Sequence, residues 1–453
     1  NEDLCLIHTL LLVTRTYLQK RLKNNLLAKL TYEIFVMHNA KRFLDNKSQW
    51  KFVQEGNLKK ILGYACEHTA YYKSLYSLNQ VENPRKMLAS LPLLDKAKIL
   101  NMGGQIYSDE ISDNWKLWLN TGGSTGEPLH FPALYKSMPW EFIAQMMLYL
   151  QMGYKIGDSI VCVSGERISD EDIARNIYWE EGTNFPWGKV HFSTLHLNPE
   201  TIGFYWDKLL EVKPKFMRGY PSGILELCKL AQKYGLSPSF KMKGIYLTSE
   251  NFTQDEKNFI SDFFHCPVYG QYGHTESSIF AVQKPDSDAY YTNPLYGYTE
   301  VLDESGKQVG IGECGEIVVT GFIEYGLPFV RYKTGDLAVY GGETEFGETI
   351  LSRLLGRNVD FIFNKKGEKI FLVGFVFGGH IKAFNHILAW QIQQSEMGKV
   401  TLLVVKGDGY DEDVENEVKQ LFDSKDIDVE FQYVRKIEKT KRGKQKFLIQ
   451  ELK

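Results

Sequence analysis

Residues 222–273 read SGILELCKLAQKYGLSPSFKMKGIYLTSENFTQDEKNFISDFFHCPVYGQYG and alternate two patterns. SGILELCKLAQKYG (222–235) and TQDEKNFISDFFH (253–265) space their apolar residues as one face of a helix does. GIYLTS (244–249) and CPVYGQYG (266–273) are short, strand-length runs of β-branched and aromatic residues. The alternation extends upstream through SIVCVS (159–164) and TIGFYWDKLLEV (201–212). Strands separated by helix-length connections predict a parallel sheet with crossover helices, and so an α/β fold.

Outward from that stretch the pattern changes twice. Residues 1–100 are mostly helical in spacing, as in NLKKILGYACEHTAYYKSLY (57–76). SLPLLDKAKIL (90–100) closes them with a proline break and a new helix start at Asp95. From about 290 to 360 the pattern is all-β: YTEVLDESGKQVG, GECGEIVVTGF and DLAVYGGETEFGETILSRLLGR predict strands joined by Gly-containing turns. After Asp360 come a strand VTLLVVKGD, a helix YDEDVENEVKQLFDSK and a strand DVEFQYVRKI, an α+β module of ordinary domain size. There is no internal repeat and no low-complexity tract.

A chain of 453 residues is long enough for two or three domains. Its 43% apolar and 24% charged composition is that of a soluble globular protein, and its net charge of −3 gives no electrostatic case for nucleic acid. The six cysteines, at 5, 66, 162, 228, 266 and 314, form no CxxC or zinc pattern. They are expected as reduced, buried small apolar groups, which favours the cytoplasm. LCLIHTLLLV (4–13) falls short of the roughly 20 apolar residues of a membrane span. Glu2 and Asp3, not basic residues, precede it, so it does not read as a signal peptide. Residues 4–40 read as helix. Its basic segment RTYLQKRLKNN suits peripheral contact with a membrane surface; a helix packed on the body fits as well and is favoured by base rates.

Chemistry concentrates first in LNTGGSTGEPLHF (119–131). An ordinary phosphate loop needs GxxxxGK[ST], and Glu127 stands where the lysine would be; a GxGxxG fingerprint is absent too. Gly122, Gly123 and Gly126 nevertheless let backbone N–H groups turn inward. Thr121, Ser124 and Thr125 add hydroxyls, and Pro128 stiffens the exit. A plain hairpin turn is the alternative. Four further segments follow in order: YGHTE (272–276), RYKTGD (331–336), LLGRNVD (354–360) and KRGKQK (441–446).

With TGGSTGEP, these segments resemble the adenylate-forming superfamily of acyl- and aryl-CoA ligases. The likeness is strongest to the phenylacetate–CoA ligase branch, which includes relatives in capsule and other surface-polysaccharide gene sets. LGYACEHTAYYKSLY (62–76), GYPSGILELCKLA (219–231) and TSENFTQDEKNFI (248–260) resemble that branch as well. The resemblance implies a large N-terminal adenylation domain, with parallel and mixed sheets, helices and a β-barrel-like subdomain, followed by a small α+β domain. Its helical N-terminal region would be 1–100, its adenylation core 101–360 and its small mobile C-terminal domain 361–453.

The implied reaction joins a carboxylate to the α-phosphorus of ATP and expels pyrophosphate. It therefore needs donors and positive charge around spreading negative charge. The resemblance gives Thr121, Gly123, Ser124, Thr125 and Gly126 to the phosphates. Gly122 departs from the usual Ser or Thr, and Leu129 from a lysine that many members carry. Tyr272 would flank adenine, Thr275 bond the α-phosphate and Glu276 hold Mg²⁺. His274 would line the acyl pocket or be a satisfied histidine. Asp336 would accept the ribose hydroxyls, with Arg331 an ion-pair partner and Arg357 on ribose or phosphates. Asp360 matches the hinge, beside a departure at Val359. Lys444 matches the C-terminal catalytic lysine, with Lys441, Arg442 and Lys446 as neighbours that leave the choice open. Ser249 and Glu250 match an adenine-contacting segment, and Tyr220 and Ser222 resemble acyl-pocket walls. For the aspartates turn capping is the bland reading, and for KTKRGKQK a solvated basic tail. Phe185, Trp187 and Phe192 fit core or pocket equally.

The expected activity is ATP-dependent formation of an acyl-AMP, then transfer to CoA or to an amine such as an amino sugar. Its cofactors are ATP and Mg²⁺, with CoA as one acceptor. The alternative is a non-catalytic relative that binds a nucleotide or a partner protein. A kinase or glycosyltransferase finds no signature.

Overall fold

The computed structural model describes residues 26–111, 116–121, 128–357, 360–372, 375–376, 382–440 and 442–452. They form two compact bodies: the described parts of Asn1–Ile156 with Gln271–Leu354, and those of Gly157–Gly270 with Leu355–Lys453. The fold is α/β, as the alternation around 222–273 predicts.

In the second body, strands Gly244–Thr248, Phe216–Gly219, Ile160–Ser164 and Gly188–Ser193 lie side by side, all parallel. Trp179–Asn184 adds an antiparallel edge. Apolar runs such as Ile160–Ser164 suit a sheet covered on both faces. The connections are helices Ile202–Val212, Pro221–Lys233 and Gln254–Phe264. Pro221 occupies the first turn of its helix, where a missing N–H costs nothing. Thr253 and Glu256 close a capping box at the start of Gln254–Phe264. Val161, Val190, Phe192, Met217 and Ile245 from the strands pack on Tyr205, Leu209, Ile224 and Ile260 from the helices. Phe192 is therefore core, and Phe185 and Trp187 are buried too.

Residues 361–453 keep a sheet of their own, in the order Asp428–Tyr433, Lys399–Lys406, Ile387–Glu396, Leu448–Gln450. Helix Glu412–Asp423 lays Val414, Val418 and Phe422, spaced i, i+4, i+8, against Ile392, Leu402 and Val404. Asp411 caps it by accepting the Val414 N–H at 3.1 Å.

The first body contains helices Leu26–Asp45, Trp50–His68, Ala70–Leu75, Pro84–Ser90 and Lys96–Met102. Asp95 caps the last by accepting the Lys98 N–H at 2.8 Å. Residues 1–25, with the basic segment, lie outside the described residues; the described part of the 4–40 helix continues to Asp45. The β section orders Gly297–Leu302, Cys314–Gly321, Tyr332–Glu343, Thr349–Arg357, Tyr290–Thr292 and Phe280–Gln283, with Gly297–Leu302 at the edge. A buried Arg331–Glu300 pair ties it to the helical region: the guanidinium meets the carboxylate at 3.1 and 3.2 Å and donates to the Ala89 and Leu91 carbonyls. Among the described cysteines 66, 228 and 266 are buried as expected. Cys314 is exposed instead, because it opens a strand at a turn rather than lying in its middle.

Candidate active site

The two strands that flank the glycine loop in the sequence lie in the first body. Strands Lys116–Asn120 and His130–Leu134 pair antiparallel, with Asn120 opposite His130. Thr121 and Leu129 pinch the loop's base: the Thr121 N–H donates to the Leu129 carbonyl at 3.0 Å, and the Leu129 N–H to Thr121 Oγ1 at 2.8 Å. That bond uses an acceptor lone pair of the Thr121 hydroxyl and leaves its proton to donate elsewhere. Leu129, where many members of the family carry lysine, is wholly buried. Gly122, Gly123, Ser124, Thr125, Gly126 and Glu127 lie outside the described residues.

Two other predicted groups of the first body come together in pairs. The Tyr272 hydroxyl donates to Asp336 Oδ2 at 2.7 Å, so a single bond joins the residue assigned to adenine and the one assigned to ribose. Burial drives the Tyr272 phenol far above its usual value, and the Asp336 charge adds to this. Beside them, Glu276 is buried; it accepts the Tyr332 hydroxyl at 3.0 Å, and His274 Nδ1 stands 3.2 Å from its other oxygen. Burial pushes that carboxyl up, but the His274 charge and the hydrogen bonds outweigh it and hold it below the ordinary range. Glu276 is thus kept as a carboxylate. His274 lies beside Glu276, and Thr275 sits in the turn between them.

Among the described residues no three His, Cys, Asp or Glu side chains converge as a metal cage. One ionised carboxylate does fit Mg²⁺ of the kind that takes its remaining ligands from substrate phosphates and water. Glu276 would hold it, and the ion would offset phosphate charge.

The second body assembles the rest at the carboxyl ends of its parallel strands, the edge where open α/β sheets bind ligands. Gly165, Thr194, Tyr220 and Ser249 each follow directly on such a strand end. The segment carrying Lys444 docks there. Thr194 Oγ1 donates to the Gly443 carbonyl at 2.8 Å, and Lys439 Nζ reaches Thr194 O and Glu226 Oε2, both at 2.7 Å. A glycine is required on each side. Gly443 has φ +72°, and a Cβ on Gly165 would stand 1.8 Å from the Arg442 carbonyl oxygen. Glu250 closes the dock by accepting the Ser222 N–H at 3.1 Å and the Gln445 N–H at 2.8 Å.

Lys444 Nζ then donates to the Ser249 carbonyl at 3.2 Å and lies 5.4 Å from the Tyr220 ring centre. Burial lowers its affinity for a proton; Glu250 opposes this, and Arg442 and Arg357 reinforce it. Burial likewise raises Glu250, against its two N–H bonds and the Lys444 charge. Ser249 adopts φ +74°, a strained value for a side-chain-bearing residue, and this accompanies its carbonyl's bond to the lysine.

Of the predicted residues in this body, Tyr220, Ser222, Ser249, Glu250 and Lys444 converge, with Arg357 in electrostatic reach of the lysine. The Asp360 N–H donates to the Arg357 carbonyl at 3.1 Å. Lys441 is outside the described residues, and Lys446 is exposed. Sequence reasoning missed Gly165, Thr194 and Gln445. Only a glycine directly after a β-run, VSG at 163–165, hinted at the first.

Residues 362–451 match the CapK C-terminal domain family. Protein CapK of Staphylococcus aureus is 24% identical over 415 residues, covering 88% of this chain and 89% of CapK. A 2-hydroxyisobutyryl-CoA ligase in complex with 2-HIB-AMP superposes with TM-score 0.67 at 18% identity, covering 88% and 89% of the two chains. The acyl acid amido synthetase AtGH3.15 gives 0.58 at 15%, covering 87% and 88%. The fold is that of the adenylate-forming enzymes. The same ligase has also been solved with 2-HIB-AMP and CoA in its thioesterification state, and that structure matches with TM-score 0.53 at 18% identity, covering 88% of each chain. No helix among the described residues is long and apolar enough to cross a membrane.

Proposed function

We propose that this adenylate-forming protein activates a carboxylic acid with ATP, releases pyrophosphate and passes the acyl group from acyl-AMP to CoA or an amine, in surface polysaccharide biosynthesis. The observation that carries the reading is the half-buried Lys444 ammonium, docked through glycine contacts at the carboxyl edge of a parallel sheet. Lysine there can bridge the attacking carboxylate and the α-phosphate, where charge develops. Tyr272 and Asp336 hold the nucleoside, Thr121 and the glycine loop the phosphates, and Glu276 the Mg²⁺. Tyr220, Ser222 and His274 border the acyl group. Asp360 serves as the hinge, so that Lys444 arrives with the closing of residues 361–453. The likeness to CapK supports the polysaccharide role, and ATP as substrate places the reaction in the cytoplasm.

The test is ATP–pyrophosphate exchange against aryl, fatty, amino and sugar acids. One class should support exchange, and Lys444→Ala should lose it by ~100-fold or more. ATP binding with no exchange across the panel would favour a nucleotide-binding relative instead. Normal exchange by Lys444→Ala would remove the lysine from the mechanism.

A further inference from the structure

Next to the lysine dock stands a second built group that the adenylation step leaves unused. His191, on strand Gly188–Ser193, is buried with its side chain 8% exposed. Its Nε2 lies 3.2 Å from the Gly188 carbonyl oxygen. A carbonyl only accepts, so Nε2 carries the ring proton and Nδ1 is the basic nitrogen of the neutral ring. Nδ1 faces Glu166 Oε1 at 3.6 Å, an ion-pair distance once the ring is protonated. Ser164 Oγ donates to the same Oε1 at 3.2 Å, and Ser193 Oγ to the Glu166 carbonyl at 2.6 Å.

The backbone makes room for this ring. A Cβ on Gly182 would stand 2.2 Å from the Gly188 carbonyl oxygen and 2.8 Å from His191 Nε2. Glu166 follows Gly165, which touches the Lys444 segment, and its side chain is 31% exposed. A half-exposed carboxylate with the Nδ1 of a buried imidazole turned toward it is an arrangement that can attract a cation and take a proton from it.

We infer that Glu166 and His191 receive an amine acceptor, with Glu166 binding its ammonium and His191 Nδ1 taking its proton. This rests on the adenylation reading and names the acceptor class within it. An alkylammonium with a pKa near that of lysine, about 10.4, is neutral in only roughly one molecule per thousand at pH 7.5; a thiol near 8.5 ionises far more readily and needs no such base. The ammonium gives its first proton to Nδ1, and the imidazolium is held by the Glu166 carboxylate. The nitrogen lone pair then attacks the acyl carbon and the C–N bond forms. The bond from that carbon to the phosphate oxygen breaks, and AMP leaves with the pair. The second nitrogen proton follows the same route after the first has passed to solvent through Glu166.

The test takes an acid that supports exchange and measures transfer to propylamine, glucosamine, CoA and hydroxylamine, a weak base already neutral at pH 7. The ratio of amine transfer to pyrophosphate exchange should fall ~100-fold in Glu166→Gln, a half-exposed change that spares the core, and also in His191→Gln. The ratio for hydroxylamine should stay within a few-fold. In the variants the propylamine rate should climb tenfold per pH unit toward pH 9, following the free amine, where the wild-type rate flattens. Among the described residues, Cys162 and Glu180 stand opposite His191 on the neighbouring strands, and Glu166 acts electrostatically on Tyr220, which Glu250 and Arg442 also reach. They are the same in wild type and variants, so the difference isolates the dyad. Wild-type use of CoA but of neither amine, or equal amine ratios in Glu166→Gln and wild type, would overturn the inference while leaving adenylation intact. Absence of exchange with every acid would instead sink the adenylation reading itself.

Discussion

Gly165→Ala isolates the docking of Lys444 from the lysine itself. Gly165 has no left-handed backbone angle, so alanine suits its conformation, and only the added methyl matters. That methyl would stand 1.8 Å from the Arg442 carbonyl oxygen and 2.1 Å from its carbon, where real contacts do not fall below 3.0 Å. The Lys444 segment must therefore retreat by more than ~1 Å, because its backbone cannot rotate aside as a side chain does. The retreat strains the bonds from Thr194 to Gly443, from Gln445 to Glu250 and from Lys444 to Ser249, each worth about 1 kcal/mol net. Misplacing a catalytic charge by ~1 Å costs about 100-fold in rate. Pyrophosphate exchange should thus drop ~100-fold, while calorimetric ATP affinity changes less than a few-fold and the melting temperature by only a few degrees. Exchange within threefold of wild type would refute the idea that this glycine contact positions the lysine.

Arg331→Ala strands the buried Glu300 carboxylate; it should cost about 3–5 kcal/mol in urea unfolding, and Glu300→Gln in the same background should recover part of it. Glu324 is buried and accepts the Gly326 and Leu134 N–H groups at 2.8 and 3.1 Å, yet burial pushes it from 4.5 up to about 7. A raised carboxyl stabilises the folded state below its unfolded value, and that contribution is lost as pH rises through about 7. Unfolding of wild type against Glu324→Gln at pH 5 and pH 8 should show roughly 3 kcal/mol of pH dependence present only in wild type.

How much of this was legible in the sequence differs from residue to residue. The helix-and-strand alternation of 222–273 is local: apolar spacing and cap residues such as Thr253, Glu256, Asp95 and Asp411 act within a few positions. Lys444, Glu250 and Tyr220 could be singled out because the segments that carry them resemble those of the adenylate-forming superfamily. Nothing in the sequence said that the Glu250 carboxylate accepts the Gln445 N–H across 195 positions. Cys314 shows the opposite error, since its residue type predicts burial and its place at a strand start leaves it exposed.

The sequence alone determined the α/β character, the α+β pattern of the C-terminal segment and the residue types available for phosphate and carboxylate chemistry, because periodicity, capping and turn chemistry are short-range. Only the tertiary structure decided which of those residues meet. Parallel strands far apart in sequence end on one edge, where Gly165, Thr194, Tyr220 and Ser249 become neighbours. Whether a lysine segment can settle there depends on the absence of two Cβ atoms, at Gly165 and Gly443, a steric condition between residues 278 positions apart that no local pattern encodes.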